Sequence, residues 1–233
     1  MMKKFSIALH DVCVSWNEKA IAIIEKVIAI YNVPLTVHLV FDEALLPESA
    51  LTKFLIEKCE NNQLEIVFHG LSHECSKNVS KLFVFYHKYQ AEYLDNDDTL
   101  RKHTFDMYQS AKIIINKNVG ICPPCWIATK QNFAFFKSLK PLYIERMLSL
   151  ESQSKRYKSP VISLGSPKIV ELFFLRILAR IIMCLAILFK SKKVRIAIHI
   201  CDIENKKSIQ FFSKMSSLLL KNGYNSVLLK ELL

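Results

Sequence analysis

Three apolar runs of this chain stop at residues able to hold a metal ion or move a proton. They are Ser6-Ile-Ala-Leu-His10-Asp11, Leu64-Glu-Ile-Val-Phe-His69-Gly-Leu-Ser-His73 and Val194-Arg-Ile-Ala-Ile-His199-Ile-Cys-Asp202. Unbroken apolar runs of this kind suit strands buried on both faces. In open α/β sheets and β/α barrels, active sites form at the C-terminal edge of such strands. His69 and His73 are four apart, a spacing that on a helical turn lets two imidazoles share one cation. Asp11, arriving from another strand, would complete a His-His-Asp set with positions left open for water. The pattern points to a metal-dependent enzyme. Histidines at this spacing also occur on helices that bind nothing, and the strand-end setting with Asp11 favours ligation.

The elements that must position these residues alternate along the chain. Strand-like runs fall at residues 5–9, 35–41, 64–68, 119–122, 142–145, 161–164, 194–199 and 226–229. Helical patterns fall at 17–31, 48–61, 131–139, 168–189 and 206–221, and a largely helical excursion at about 77–117 is too long for an ordinary connection. The alternation predicts an α/β fold: a single-domain distorted (β/α) barrel of about seven strands, mainly parallel, spanning residues 1–233 with no linker.

Composition narrows the partners. The 233 residues are 51% apolar, enough for one substantial core. A net charge of +11 favours anionic surroundings such as phospholipid or a phosphorylated substrate. The basic residues are scattered and no nucleic-acid-binding motif accompanies them, so no nucleic-acid partner is expected. Seven cysteines at irregular spacing argue against a secreted disulfide framework. The basic start reaches His10-Asp11 before a signal-peptide core can form, so a cytoplasmic location without signal peptide is expected. Residues 169–189 are long and apolar, but Glu171, Arg176 and Arg180 interrupt them, which disfavours a membrane span. Two readings stay open there: a helix packed on the sheet, and an interfacial helix backed by Lys190, Lys192 and Lys193, giving peripheral membrane contact through 169–193.

In order along nearly the whole chain, Leu9-His10-Asp11-Val12, His69-Gly-Leu-Ser-His73, Ile121-Cys-Pro-Pro-Cys-Trp126, Ser159-Pro-Val-Ile-Ser-Leu-Gly165 and Arg195-Ile-Ala-Ile-His199-Ile-Cys-Asp202 form a recognisable set. The chain resembles the polysaccharide deacetylases of the NodB-homology type, in the branch with a His-Asp dipeptide at the first strand. The resemblance implies a divalent metal held by Asp11, His69 and His73, with zinc first and cobalt, nickel, iron or manganese fitting similar ligands. It also implies His199 as general acid, and hydrolysis of an N-acetyl or similar N-acyl group on a sugar or polysaccharide by metal-bound water. The basic charge suggests a substrate that is phosphate- or lipid-linked. Asp202, three residues past His199, would orient that imidazole or cap the following helix. Trp126 and Pro124 would meet the sugar, Trp126 by stacking, with core packing as the alternative for the indole.

Two departures stand out. The better-known deacetylases carry an aspartate as general base where His10 stands here, and an arginine orienting it near the position of Cys122. His10 is therefore the candidate base, or a partner of Asp11 or substrate. Two rival readings follow: a non-catalytic sugar- or membrane-binding protein on this scaffold, and a thiol–disulfide oxidoreductase using Cys122 and Cys125. His38 reads as a satisfied strand residue, Asp42 as a carboxylate near the edge. The aromatic run Phe83, Phe85, Tyr86, Tyr89 and Tyr93 reads as a sugar lid or a packed insertion.

Overall fold

The computed structural model describes residues 2–72, 92–94, 96–117, 119–164, 169–188 and 191–233, without the side chains of 169–176 and 188. The longest strand is β1 (Lys3–Cys13), flanked by the parallel strands β2 (Leu35–Val40) and β9 (Lys193–His199). Beyond β2 follow β3 (Leu64–Phe68), β4 (Gly120–Ile121) and β5 (Ile144–Arg146), all parallel. Then the chain turns back on itself through β6 (Ser149–Glu151) and β7 (Arg156–Lys158). On the other side β8 (Val161–Ser163) joins β9, and the short β10 (Tyr224–Ser226) pairs with the start of β1.

The result is α/β, as expected, with a curled and mainly parallel sheet. It differs from the expected barrel of about seven strands: nine strands form one path ending at β7 and β8, a half-barrel. Among the described residues these two edge strands do not pair. On the β5 side the sheet is extended by an antiparallel meander, β5–β7, in place of further βα units. Curling is visible in one contact, for Arg195 on β9 reaches Glu145 on β5 with β4, β3, β2 and β1 between them in the path.

Period-two alternation sorts the strand side chains into two layers. Phe5, Ile7, Leu9, Leu35, Val37, Leu39, Leu64, Ile66, Phe68, Val194, Ile196 and Ile198 build the main core against the helices. The other parity faces the concave side, where Val67, Cys122, Tyr143, Leu150, Leu229 and Leu232 form a smaller cluster. Ser6, His10, Thr36, His38, Glu65 and Arg195 share that parity and are all buried.

Among the described residues the helices are α1 (Glu18–Tyr31), α2 (Ala50–Glu60), α3 (Asp98–Ile115), α4 (Lys130–Ser138), α5 (Ile169–Leu188), α6 (Ile200–Glu204) and α7 (Lys206–Lys221). Side-chain caps start four of them: Ser49, Asp97, Thr129 and Asn205 accept from backbone N–H groups of their first turns. Among the described residues no helix is long and apolar enough to cross a membrane. The expected last strand at 226–229 lies earlier, at β10, and Leu229–Leu232 is a 3-10 turn. Thr36 Oγ1 and Glu65 Oε2 capture the N–H groups of Leu229 and Lys230, which bends the chain across the bottom of the half-barrel.

Candidate functional site

β1 does not stop at His10. It continues to Cys13, and its register against β2 slips between Leu9 and Val12, a bulge in which Asp11 takes a left-handed φ of 65°. A bulge re-aims side chains. Here it brings His10 and Asp11 to one edge, so that one donor atom each from His10, Asp11 and His199 lies within 4.8 Å of the others.

His69 follows the end of β3. Its Nδ1–H donates to the backbone carbonyl of Cys122 at 2.7 Å, a group that can only accept. That bond leaves Nε2 as a lone pair, and Nε2 lies 3.3 Å from Asp11 Oδ1 and 3.3 Å from His10 Nδ1. A lone pair beside a carboxylate oxygen could accept a cation, or the His10 Nδ1–H. Gly70 makes the turn possible: its φ is +87°, and a Cβ there would clash with Glu92 Oε1 and meet Pro124 Cγ at 3.0 Å. Buried Glu92 in turn accepts from the N–H groups of Leu71 and Ser72. His73, expected as the third ligand, lies outside the described residues, as do Phe83, Phe85, Tyr86 and Tyr89. Tyr93 is fully buried and bonded to Thr104, a packing role.

Beneath this edge lies a constellation that reading the strands one by one misses. His38, whose sequence setting reads as a satisfied strand residue, is fully buried with its ring centroid 3.7 Å from that of His10. Its Nε2–H donates to Glu145 at 2.6 Å, and Arg195 donates to the other Glu145 oxygen at 2.8 Å. Burial lowers the pKa of His38 despite the carboxylate, so the imidazole is neutral. Burial would raise Glu145, but His38 and Arg195 outweigh it and hold the carboxyl below its ordinary value. Burial, reinforced by His38, His69 and His199, holds His10 well below its ordinary value. His10, His38, His69 and Cys122 are all buried, and with donor atoms within 4.8 Å of one another they could hold a metal ion. The sequence signal was parity: Thr36 and His38 alternate with Leu35, Val37 and Leu39, and so face the concave side.

His199 ends β9 opposite His10, the two rings 5.0 Å apart. Burial lowers its pKa, but Asp11 and Asp202 prevail and the net shift is upward. The helix that Asp202 is expected to cap, α7, is capped by Asn205 instead, and Asp202 is buried in the first turn of α6. Its Oδ2 accepts from the His199 backbone N–H at 3.0 Å, capping α6, and lies 3.7 Å from His199 Nδ1. Trp126 sits beside His10 at 5.2 Å between ring centroids, with its indole nitrogen buried and unpartnered. Pro124 is buried against Gly70 and packs the loop. Asp42 is exposed and accepts from the Ser15 N–H and hydroxyl.

Compared with protein-family models and with curated proteins, the chain matches none. The site must be read from its chemistry. That chemistry speaks against thiol redox: burial pushes Cys122 well up and Cys125 to about 12, the opposite of an activated thiolate.

Proposed function

We infer that the chain is a metal-dependent hydrolase that removes an N-acetyl or similar N-acyl group from a sugar. The observation that carries this reading is the meeting of Asp11 Oδ1 and His69 Nε2 at 3.3 Å, with His199 across the same edge. The donors fit a divalent ion, because the Cys122 carbonyl fixes the His69 proton on the far nitrogen. Asp11 and His69 would hold it, with His73 as the third ligand that the resemblance to polysaccharide deacetylases adds. A bound ion would supply Lewis acidity toward an amide carbonyl and lower the pKa of a water.

The chain's own residues do the rest. His199, raised by two carboxylates, keeps a proton to give to a departing nitrogen. Asp202 fixes the backbone from which that ring projects. His10, held neutral, has a lone pair to accept a proton. The Trp126 ring offers a face for a sugar. The net charge of +11 favours a substrate bearing phosphate, such as a nucleotide- or lipid-linked sugar.

Acetate release from an N-acetylated oligosaccharide, with the protein loaded with Zn2+ or Co2+, tests the reading. Turnover should fall by at least about a hundredfold in His199→Gln with metal content unchanged. A protein whose bound ion is lost in Asp11→Asn, yet which releases no acetate from neutral or phosphorylated N-acetyl sugars, would overturn it. Equal rates on a neutral sugar and its phosphorylated form would remove the phosphate preference alone.

A further inference from the structure

Below the Asp11 edge, His38 from β2 and Cys122 from the loop after β4 add donors that the resemblance does not supply. We propose that the chain binds a borderline-soft divalent ion, of the zinc or cobalt kind, through His38, Cys122, His10 and His69, with the Cys122 thiolate in the coordination shell. This site goes beyond the hydrolase reading and is tested without it.

The first argument is placement. All four residues are buried and their donors lie within 4.8 Å of one another. Donors of a tetrahedral zinc site are spaced by roughly 3.5 Å, so small side-chain rotations close the set. The second is tautomer. His38 gives its Nε2–H to Glu145, which leaves Nδ1 as a lone pair, and that atom is buried without a partner. His10 Nε2 is likewise buried and unpartnered. A buried unsatisfied polar atom is costly in a native core, and an ion at His38 Nδ1 would satisfy it.

The third argument is support from behind. Metal-bound imidazoles characteristically donate their other N–H to a carboxylate or a carbonyl. His38 does so to Glu145, itself held by Arg195, and His69 does so to the Cys122 carbonyl. The fourth is donor type. Three imidazoles and a thiolate select zinc or cobalt over magnesium, calcium or manganese, which take oxygen. Four protein ligands fill a tetrahedral shell, so this ion would bind β1, β2, β3 and the β4 loop together with no open position. His69 Nε2 belongs to this set and to the Asp11 pair. An ion in the inner set therefore competes with one at the edge.

The test is titration of the full chain with Co2+ alone, followed by absorption. Stoichiometric Co2+ should give a thiolate-to-cobalt charge-transfer band in the near ultraviolet. Cys122→Ser, nearly isosteric, should abolish the band while keeping the wild-type circular dichroism. His38→Gln should weaken binding by at least about tenfold. Cys125→Ser and Asp11→Asn should both keep the band. Co2+ binding without a thiolate band, or a band that survives Cys122→Ser, overturns the proposal. So does binding that Asp11→Asn abolishes and Cys122→Ser leaves intact, or a chain that binds no Co2+. None of these readouts depends on turnover, so the hydrolase reading and this site can fail separately.

Discussion

Glu65 offers a sharp test of the concave-side layering. It sits on β3, buried, receiving hydrogen bonds from the Tyr143 hydroxyl at 2.8 Å and the Lys230 N–H at 2.9 Å. Burial outweighs those bonds and pushes its pKa from the ordinary 4.5 to about 7. A folded pKa above the unfolded one means that the native state binds more protons between the two values. Stability contributed by this group is therefore complete below 4.5 and lost as pH rises through 7. With 1.36 kcal/mol per pH unit, the loss across that window is about 3 kcal/mol. Glu65→Gln keeps an acceptor for Lys230 and a partner for Tyr143 but cannot ionise. Urea unfolding of both proteins from about pH 5 to about pH 8 should show equal or lower stability for the variant in acid and a relative gain of about 3 kcal/mol in base. His10 and His38, with lowered pKa values, make stability rise with pH in acid, but that drift is common to both proteins and cancels in the difference. Parallel stability curves would refute the assignment of Glu65 as a buried carboxylate with a raised pKa.

Other perturbations reach the site itself. Glu145→Gln strips the charge between His38 and Arg195, leaving a buried guanidinium unpaired; it should cost about 3 kcal/mol in denaturant unfolding. Gly70→Ala combines a left-handed φ with a clash against Glu92 and should cost roughly 1–3 kcal/mol, part of it relieved in a Glu92→Ala background. Asp202→Asn removes one of the carboxylates that raise His199, so the alkaline limb of the pH–rate profile for acetate release should move to lower pH; an unmoved limb would show that Asp202 acts only as a cap.

Much of this arrangement was legible in the residues. The apolar runs at 64–68 and 194–199 became β3 and β9, and the ends of those strands deliver His69 and His199 to one edge with Asp11. The bulge in β1 was not legible, because nothing in Leu9-His10-Asp11-Val12 announces a left-handed aspartate. β6 and β7 are three residues each, too short for alternation to declare itself, and so the half-barrel read as a simpler barrel. Glu145 and Arg195 lie 50 residues apart, and their pairing through the concave side follows from sheet curvature that no local pattern encodes. His38 was hidden for a different reason. A lone histidine among Leu, Val and Thr satisfies a strand pattern whether it packs or ligates.

The pairing of β1 with both an early and a late strand has a consequence for the order in which the site is made. Its first partner, β2, lies about 30 residues away, but its other main partner, β9, pairs Lys4 with Lys193 and His10 with His199. Contacts of such separation form late and slow the folding of the whole domain. During synthesis β1, β2 and β3 can associate as soon as they emerge, bringing His10, Asp11, His38 and His69 together while one flank of β1 still lacks its neighbour. His199 arrives only with the last sixth of the chain. A nascent chain would thus have most of its candidate metal-binding histidines in place before the proposed proton donor exists.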